Sequence, residues 1–197
     1  MEIIILIYDG FTALDFVGPF ESLSRFPGAN VRFVSKEKGL IEGEHKHLKI
    51  LTDYSIKDID RADILVVPGA TLGFLEVAQD QEILNWIRKI HETTKWTTSV
   101  CSGSVILAAS GILNGLKVTS HWAVYDQIQK LGAIPVAERC VRNGKIITSA
   151  GVSAGIDMGL HLAAPEHGGK FGKMLQLVIE YDPKPDFAAG SVAKSSQ

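Results

Sequence analysis

The chain is poor in cysteine, carries no excess of positive charge and has no long apolar run, and each absence removes a class of function. Only Cys101 and Cys140 occur, in different sequence settings, which reads as two reduced thiols and not as a disulfide framework. Lys and Arg number 20 against 22 Asp and Glu, for a formal net charge of −2. That leaves no basic footprint for neutralising phosphates, so nucleic acid is not an expected partner. No apolar stretch approaches the roughly 20 residues that span a bilayer, so no membrane partner is expected. The start, Met1-Glu2-Ile3-Ile4-Ile5-Leu6-Ile7-Tyr8, lacks a basic region and reaches Asp9-Gly10 too early for a signal peptide. The expected location is the cytoplasm. Nothing in the composition suggests a metal cluster, and no internal repeat, low-complexity segment or linker divides the chain.

What is present is a 46% hydrophobic chain of 197 residues, long enough for one domain with a full core. Ile3 to Tyr8 is a β-branched run suited to a strand buried on both faces. After it, Leu14, Phe16, Val17, Phe20 and Leu23 recur at helical spacing, but Gly18-Pro19 interrupts them. The spacing predicts a short turn carrying Asp15 and a main helix starting at Pro19. Val31 to Val34 reads as a strand, and the polar stretch 35–49, with Gly39 and Gly43, reads as an edge hairpin or excursion. His45 and His47 in it lack partners at metal-ligand spacing and read as solvated loop. Residues 62–70 form a second buried run closing on Pro68-Gly69-Ala70, where a glycine frees the backbone to present N–H groups.

A helical face follows over 80–92, and Trp96 to Val100 is the strand that delivers Cys101. Residues 104–109 and 123–131 read as helices, with a short strand over 116–119 between them that leads to Ser120-His121-Trp122. Strands are expected over 133–136, 140–142 and 145–148, the last two joined by Asn143-Gly144 as a hairpin. Helices are expected over 152–163 and 166–180, with Pro165 in the first turn of the second. The expected architecture is α/β, a flavodoxin-like sandwich with a mostly parallel sheet flanked by helices on both faces. It spans residues 1–182, and residues 183–197 form a C-terminal tail. Ligands in such sheets collect at the carboxyl ends of strands, where Asp9, Asp15, Gly69, Ala70, Cys101 and Ser102 all fall.

Cys101-Ser102-Gly103-Ser104 is the stretch with the chemistry. A tight strand-to-helix turn exposes a nucleophile while fixing it, and the following N–H groups favour negative charge on sulfur. A cysteine so placed is expected to ionise easily. A lone cysteine in an apolar chain is ordinarily a small buried hydrophobe, which is the reading for Cys140; the Cys-Ser-Gly-Ser run after a buried strand favours a nucleophile at Cys101.

Five stretches in order carry a resemblance over nearly the whole chain: residues 8–19, 66–70, 99–104, 119–122 and 149–158. They resemble the DJ-1/PfpI superfamily, a branch of the class I glutamine amidotransferase-like fold that includes ThiJ proteins, and within it the isocyanide hydratase group. The resemblance implies Cys101 as nucleophile, Asp15 as its acid/base partner and Ser102 as the hydroxyl that follows it, with Glu21 left as helix surface. It also implies substrate contacts from Gly69, Ala70 and His121, a small-molecule substrate, a homodimer, and no cofactor or metal. Ser102 stands where family members often carry Thr, and Ala70 where they carry a second Gly, departures that bear on substrate choice more than on chemistry.

Peptidase-like members place a histidine directly after the cysteine; here Ser102 removes the base of a Cys-His pair. The implied reaction is addition of Cys101 to an isocyanide carbon, protonation by Asp15 and release of an N-formamide. Asp15 is expected to be protonated because of like-charge repulsion from the thiolate, and the N–H groups of Gly69, Ala70 and Ser102 are expected to stabilise the nitrogen end or orient water. His121 reads more readily as a structural hydrogen-bonding residue than as a catalytic one. Branches of the superfamily that act as cysteine oxidation sensors, aldehyde-adduct hydrolases or ligand-sensing domains supply the alternatives.

Overall fold

The computed structural model describes residues 1–195. In chain order the elements are β1 (Glu2–Leu6), α1 (Ala13–Leu23), β2 (Asn30–Ser35), β3 (Gly39–Glu42), β4 (Lys49–Thr52), β5 (Tyr54–Ser55), β6 (Ile64–Val67), α2 (Phe74–Val77), α3 (Gln81–Thr93) and β7 (Trp96–Val100). They continue as α4 (Gly103–Ala109), β8 (Lys117–Val118), α5 (Tyr125–Lys130), β9 (Ile134–Pro135), β10 (Cys140–Asn143), β11 (Ile146–Ser149), α6 (Ala154–His167), α7 (Gly169–Val178) and α8 (Val192–Ser195). Among the described residues the main sheet runs β10-β11-β7-β6-β1-β2-β5. Every neighbour pair in it is parallel except the β10–β11 hairpin at one edge. No helix among them is long and apolar enough to cross a membrane.

The period-2 alternation of strands divides the core between the two faces of this sheet. Ile4, Leu6, Leu65 and Val67 pack with α3 and α4 on one face. Ile3, Ile5, Ile7, Ile64, Val66 and Val100 pack on the other with Phe16, Met158 and Leu162 from α1 and α6. Full burial of each such aliphatic side chain contributes roughly 1.5–3 kcal/mol before entropy is counted. Because β1, β6, β7 and β11 are consecutive neighbours, the segments leaving their carboxyl ends converge on one spot. Those segments contain Asp15, Gly69, Cys101 and Val152.

Three helix boundaries differ from the sequence reading. α1 runs unbroken from Ala13 through Pro19, so Asp15 belongs to its first turn and not to a preceding loop. Gly18 precedes the proline and has no Cβ to collide with its ring, which removes part of the usual penalty. Pro165 lies in the last turn of α6, and the break before α7 is Gly168 at φ 85°, a positive φ that glycine adopts without steric cost. Val152 is not helical: it holds φ 37°, and α6 starts at Ala154. The 35–49 excursion forms the β3–β4 hairpin as expected, and the expected tail is exposed throughout its described part, with one turn of helix at α8.

Helices α1 and α6 cross by small residues. A Cβ on Gly155 would lie 2.8 Å from Pro19 Cδ, and one on Gly159 would lie 1.7 Å from Ser22 Oγ. Only hydrogen atoms fit at these positions, and the crossing sets the height of α1, hence of Asp15, above the sheet. Gly159→Ala is therefore expected to overpack the crossing and to cost roughly 1–3 kcal/mol, read as a lowered urea midpoint with an unchanged m value.

Candidate active site

The turn at Cys101 is strained and held from all sides. Cys101 sits at φ 57°, a left-handed conformation that costs a non-glycine residue on the order of 1 kcal/mol or more. Its N–H donates to the carbonyls of Ser149 (3.2 Å) and Ala150 (3.0 Å), and its carbonyl accepts from Ser120 Oγ at 2.7 Å and Ser104 Oγ at 3.2 Å. Directly behind it, Gly103 packs so closely that a Cβ would lie 2.1 Å from Val67 O, which fixes the start of α4 against β6. The thiol accepts from the N–H groups of Val152 and Ser102. Val152 holds its positive φ at the residue whose amide meets sulfur.

Asp15 reaches the same point from α1. It is 0% exposed, and its Oδ2 accepts from Gly69 N–H at 3.0 Å. Gly69 O in turn accepts from Thr12 N–H at 3.0 Å, so the first turn of α1 and the Pro68-Gly69 turn clasp one another. A side chain at Gly69 is impossible: a Cβ would lie 2.7 Å from Asp15 Oδ2 and 2.6 Å from Ser102 N. The second carboxyl oxygen, Oδ1, is buried without a hydrogen-bond partner among the described residues, and the Cys101 thiol lies close enough to interact with the carboxyl.

Burial dominates the electrostatics of this pair. It raises Asp15 to about 7, the contact with Cys101 and the Gly69 N–H pull the value down, and the charge of Glu44 adds to the rise. The cause differs from the expected repulsion by a thiolate: removal from water is sufficient. Burial, followed by the charge of Asp15, pushes Cys101 up to about 12 against the pull of the two amides. The easily ionised thiol expected from the turn is therefore corrected, because two N–H groups do not offset burial and, after it, the charge of Asp15.

Cys101 and Ser102 line a cavity of about 210 Å³ together with Ala70, Phe74, Glu44 and His121. Two expected donors are engaged elsewhere. Ala70 N–H donates to Ser102 Oγ at 2.9 Å, and Ser102 Oγ donates back to Ala70 O at 2.7 Å; Gly69 N–H is held by Asp15. The Ser102 hydroxyl, expected to be catalytic, thus bonds to Ala70, and the Gly69 amide, expected to contact substrate, bonds to Asp15. His121 is at the cavity wall, with Nδ1 accepting from Ala123 N–H at 3.3 Å to cap a 3₁₀ turn. Burial lowers its pKa, which favours the neutral ring.

Residues not singled out from the sequence complete the site. Tyr8 is a buried phenol donating to Pro68 O at 2.8 Å; burial first, and then the charges of Asp15, Cys101 and Glu44, push its pKa well above normal. Glu44 enters from the β3–β4 loop, where the polar sequence carries no periodic signal. Cys140 is half-buried on β10 beside Arg139 and Asp157, away from the cavity lining, and His45 and His47 are exposed loop residues as expected.

Comparison with known proteins bears on the family and the fold. The sequence pattern of the DJ-1/PfpI family matches residues 1–164. The chain is 35% identical over 191 residues to an isonitrile hydratase from Pseudomonas putida, covering 97% of this chain and 83% of that one. It is 29% identical over 150 residues to a deglycase from Thermococcus kodakarensis, covering 76% of this chain and 89% of that one. The crystal structure of a ThiJ/PfpI family protein from Pseudomonas syringae superimposes with a TM-score of 0.94 at 38% identity, covering 98% of this chain and 80% of that one. With the family pattern spanning most of the sequence and the cysteine turn, buried acid and parallel sheet in place, the chain belongs to the DJ-1/PfpI family.

Proposed function

We propose that the protein is an isocyanide (isonitrile) hydratase in which Cys101 is the nucleophile and Asp15 the acid/base. The observation that carries the reading is the buried Cys101–Asp15 pair, whose cysteine lines a small, mostly apolar cavity with the acid behind it, joined to 35% identity with an isonitrile hydratase. The deglycase relatives within the same family make hydrolysis of an aldehyde adduct the second reading. Neither requires a metal, and the homodimer implied by the resemblance belongs to this proposal.

The proton inventory of the pair drives the chemistry. Above about pH 7 the two coupled groups hold one proton between them, available to sulfur or to Asp15. As sulfur adds to the terminal carbon of R–NC, its proton passes to Asp15, and Asp15 delivers it to that carbon to give the thioimidate R–N=CH–S–Cys101. Asp15, again a carboxylate, draws a proton from water as the hydroxyl adds to the same carbon and passes that proton to nitrogen. The C–S bond then breaks, the hydroxyl proton returns to sulfur by way of Asp15, and R–NH–CHO leaves. The balance is one isocyanide and one water for one N-formamide. A carboxylate suits the transfer to carbon because burial has brought its pKa close to neutrality.

Cys101→Ala is expected to abolish formamide formation from small alkyl isocyanides; equal activity in both proteins would remove the nucleophile assignment. For the wild type, kcat/KM is expected to rise about tenfold per pH unit below about 7 and then level, because the doubly protonated pair has no base to accept the thiol proton. Asp15→Asn should lose that limb and lower kcat by roughly 10²–10⁴-fold, while an unchanged limb would assign it to another group. The same substitution reports on stability. A carboxyl raised from 3.8 to about 7 on folding makes the folded state bind more protons than the unfolded one, so stability falls as pH rises between those values. The total is on the order of 4 kcal/mol. Asp15→Asn is expected to unfold at a higher temperature than wild type at pH 8 and to lose that advantage near pH 4, as read by calorimetry.

A further inference from the structure

We propose that Glu44 makes the catalytic cavity a charge filter, so that its substrates are neutral or cationic small electrophiles and anionic ones are rejected. The inference takes the kind of electrophile from the hydratase reading, whereas the charge rule rests on the placement of Glu44 in the cavity wall.

Glu44 comes from the β3–β4 loop, yet its side chain is 19% exposed and lines the same cavity as Cys101. The loop that carries it is fastened to the strand ends: Glu44 N–H donates to Phe11 O at 3.1 Å, and Gly43 N–H to Leu48 O at 2.9 Å. The carboxylate is fastened too. Its Oε2 accepts from Thr71 Oγ1 at 2.6 Å, Thr12 Oγ1 at 3.1 Å and Thr71 N–H at 3.3 Å. These donors are all neutral, so they orient the charge without cancelling it. The other oxygen, Oε1, lies 3.6 Å from Nε2 of His45, whose side chain is 86% exposed on the solvent side.

Nothing in the cavity wall opposes this charge. Among the described residues no lysine or arginine lines it, and its remaining members are apolar or neutral apart from Cys101 and His121. The field of Glu44 reaches the reacting groups, since it contributes to the raised values of Asp15 and Tyr8. A ligand carboxylate in the same 210 Å³ would meet that repulsion at close range, which costs about tenfold or more in reactivity. A ligand ammonium or N–H would find Oε1 as an acceptor.

The test compares alkylation of Cys101 by iodoacetamide and iodoacetate, which form the same kind of S–C bond and expel iodide but differ in charge. Rates are followed by mass analysis of the Cys101 peptide in wild type, Glu44→Gln and Glu44→Asp, with 2-mercaptoethanol as the intrinsic reference. Taking the ratio of the two reagents removes any change in the nucleophile itself. In wild type the amide-to-acetate ratio is expected to exceed that of 2-mercaptoethanol by about tenfold or more. It should fall at least roughly fivefold in Glu44→Gln and persist in Glu44→Asp. An equal ratio in wild type and Glu44→Gln overturns the proposal, and should Glu44→Gln not fold, a wild-type ratio equal to that of 2-mercaptoethanol does so. A parallel arm measures formamide from methyl isocyanoacetate and from isocyanoacetate. The ester is expected to win by tenfold or more in wild type, with the gap narrowed in Glu44→Gln. If the alkylation ratio shifts as expected while neither isocyanide is consumed, the charge filter stands and the hydratase reading falls.

Discussion

A carboxyl group taken wholly out of water next to a thiol is the constraint around which this structure is arranged. Asp15 has one backbone N–H for its Oδ2 and a cysteine for a neighbour, far short of the several donors that would hold a buried carboxylate at its ordinary acidity. The fold accepts that cost and supports it with close backbone approach. Gly69 has no room for a side chain, Gly103 brings α4 hard against β6, and Gly155 and Gly159 let α6 lie on α1. Each glycine removes volume at a point where the carboxyl or the thiol would otherwise be pushed away.

The same logic accounts for the strained backbone. Cys101 and Val152 both hold positive φ, and for a β-branched residue that conformation is rare. The two are complementary: the turn at Cys101 lifts sulfur out of the strand line, and the turn at Val152 aims an amide at it. Four carbonyl and hydroxyl contacts around the Cys101 peptide, from Ser149, Ala150, Ser120 and Ser104, over-determine the conformation. Strain retained at such a point is a sign that the geometry of sulfur matters more than local stability.

How much of this was legible in the sequence follows from which features leave a local signal. The β-branched runs at β1 and β6 and the Asn-Gly hairpin are read from a few consecutive residues, and the Cys-Ser-Gly-Ser turn is announced by the strand before it. Pro19 and Pro165 misled because proline reports on its own N–H and φ, whereas α1 and α6 are held through those positions by apolar packing of Phe16, Met158 and Leu162 on the sheet. Val152 looked helical because nothing in its type betrays a left-handed turn. Ser102 and the Gly69-Ala70 amides were identified as site residues, but the Ala70–Ser102 hydrogen bonds join segments 32 residues apart in sequence and the Gly69–Asp15 bond joins segments 54 apart. Glu44 was invisible for the same reason in stronger form: it lies in a polar excursion, and its importance arises wholly from Thr12, Thr71 and the cavity.

The site also shows why a cysteine here need not be a resting thiolate to be useful. In a Cys-His pair the base is a neutral imidazole, and transfer of the proton creates a cation that stabilises the thiolate; such an ion pair suits attack on a carbonyl, which must then expel an amine. In the Cys101–Asp15 pair, transfer of the proton leaves the total charge unchanged at minus one and puts the proton on an acid of near-neutral pKa facing the new carbanionic centre. That arrangement is poor at stabilising an oxyanion, with the nearby Gly69 and Ala70 amides already engaged and the wall charge negative through Glu44. It is well matched to an electrophile whose carbon accepts both sulfur and a proton in succession. The engagement of the Gly69 and Ala70 amides with Asp15 and Ser102, together with the shared proton, is the ground on which addition to a neutral carbon centre is proposed over cleavage of a peptide.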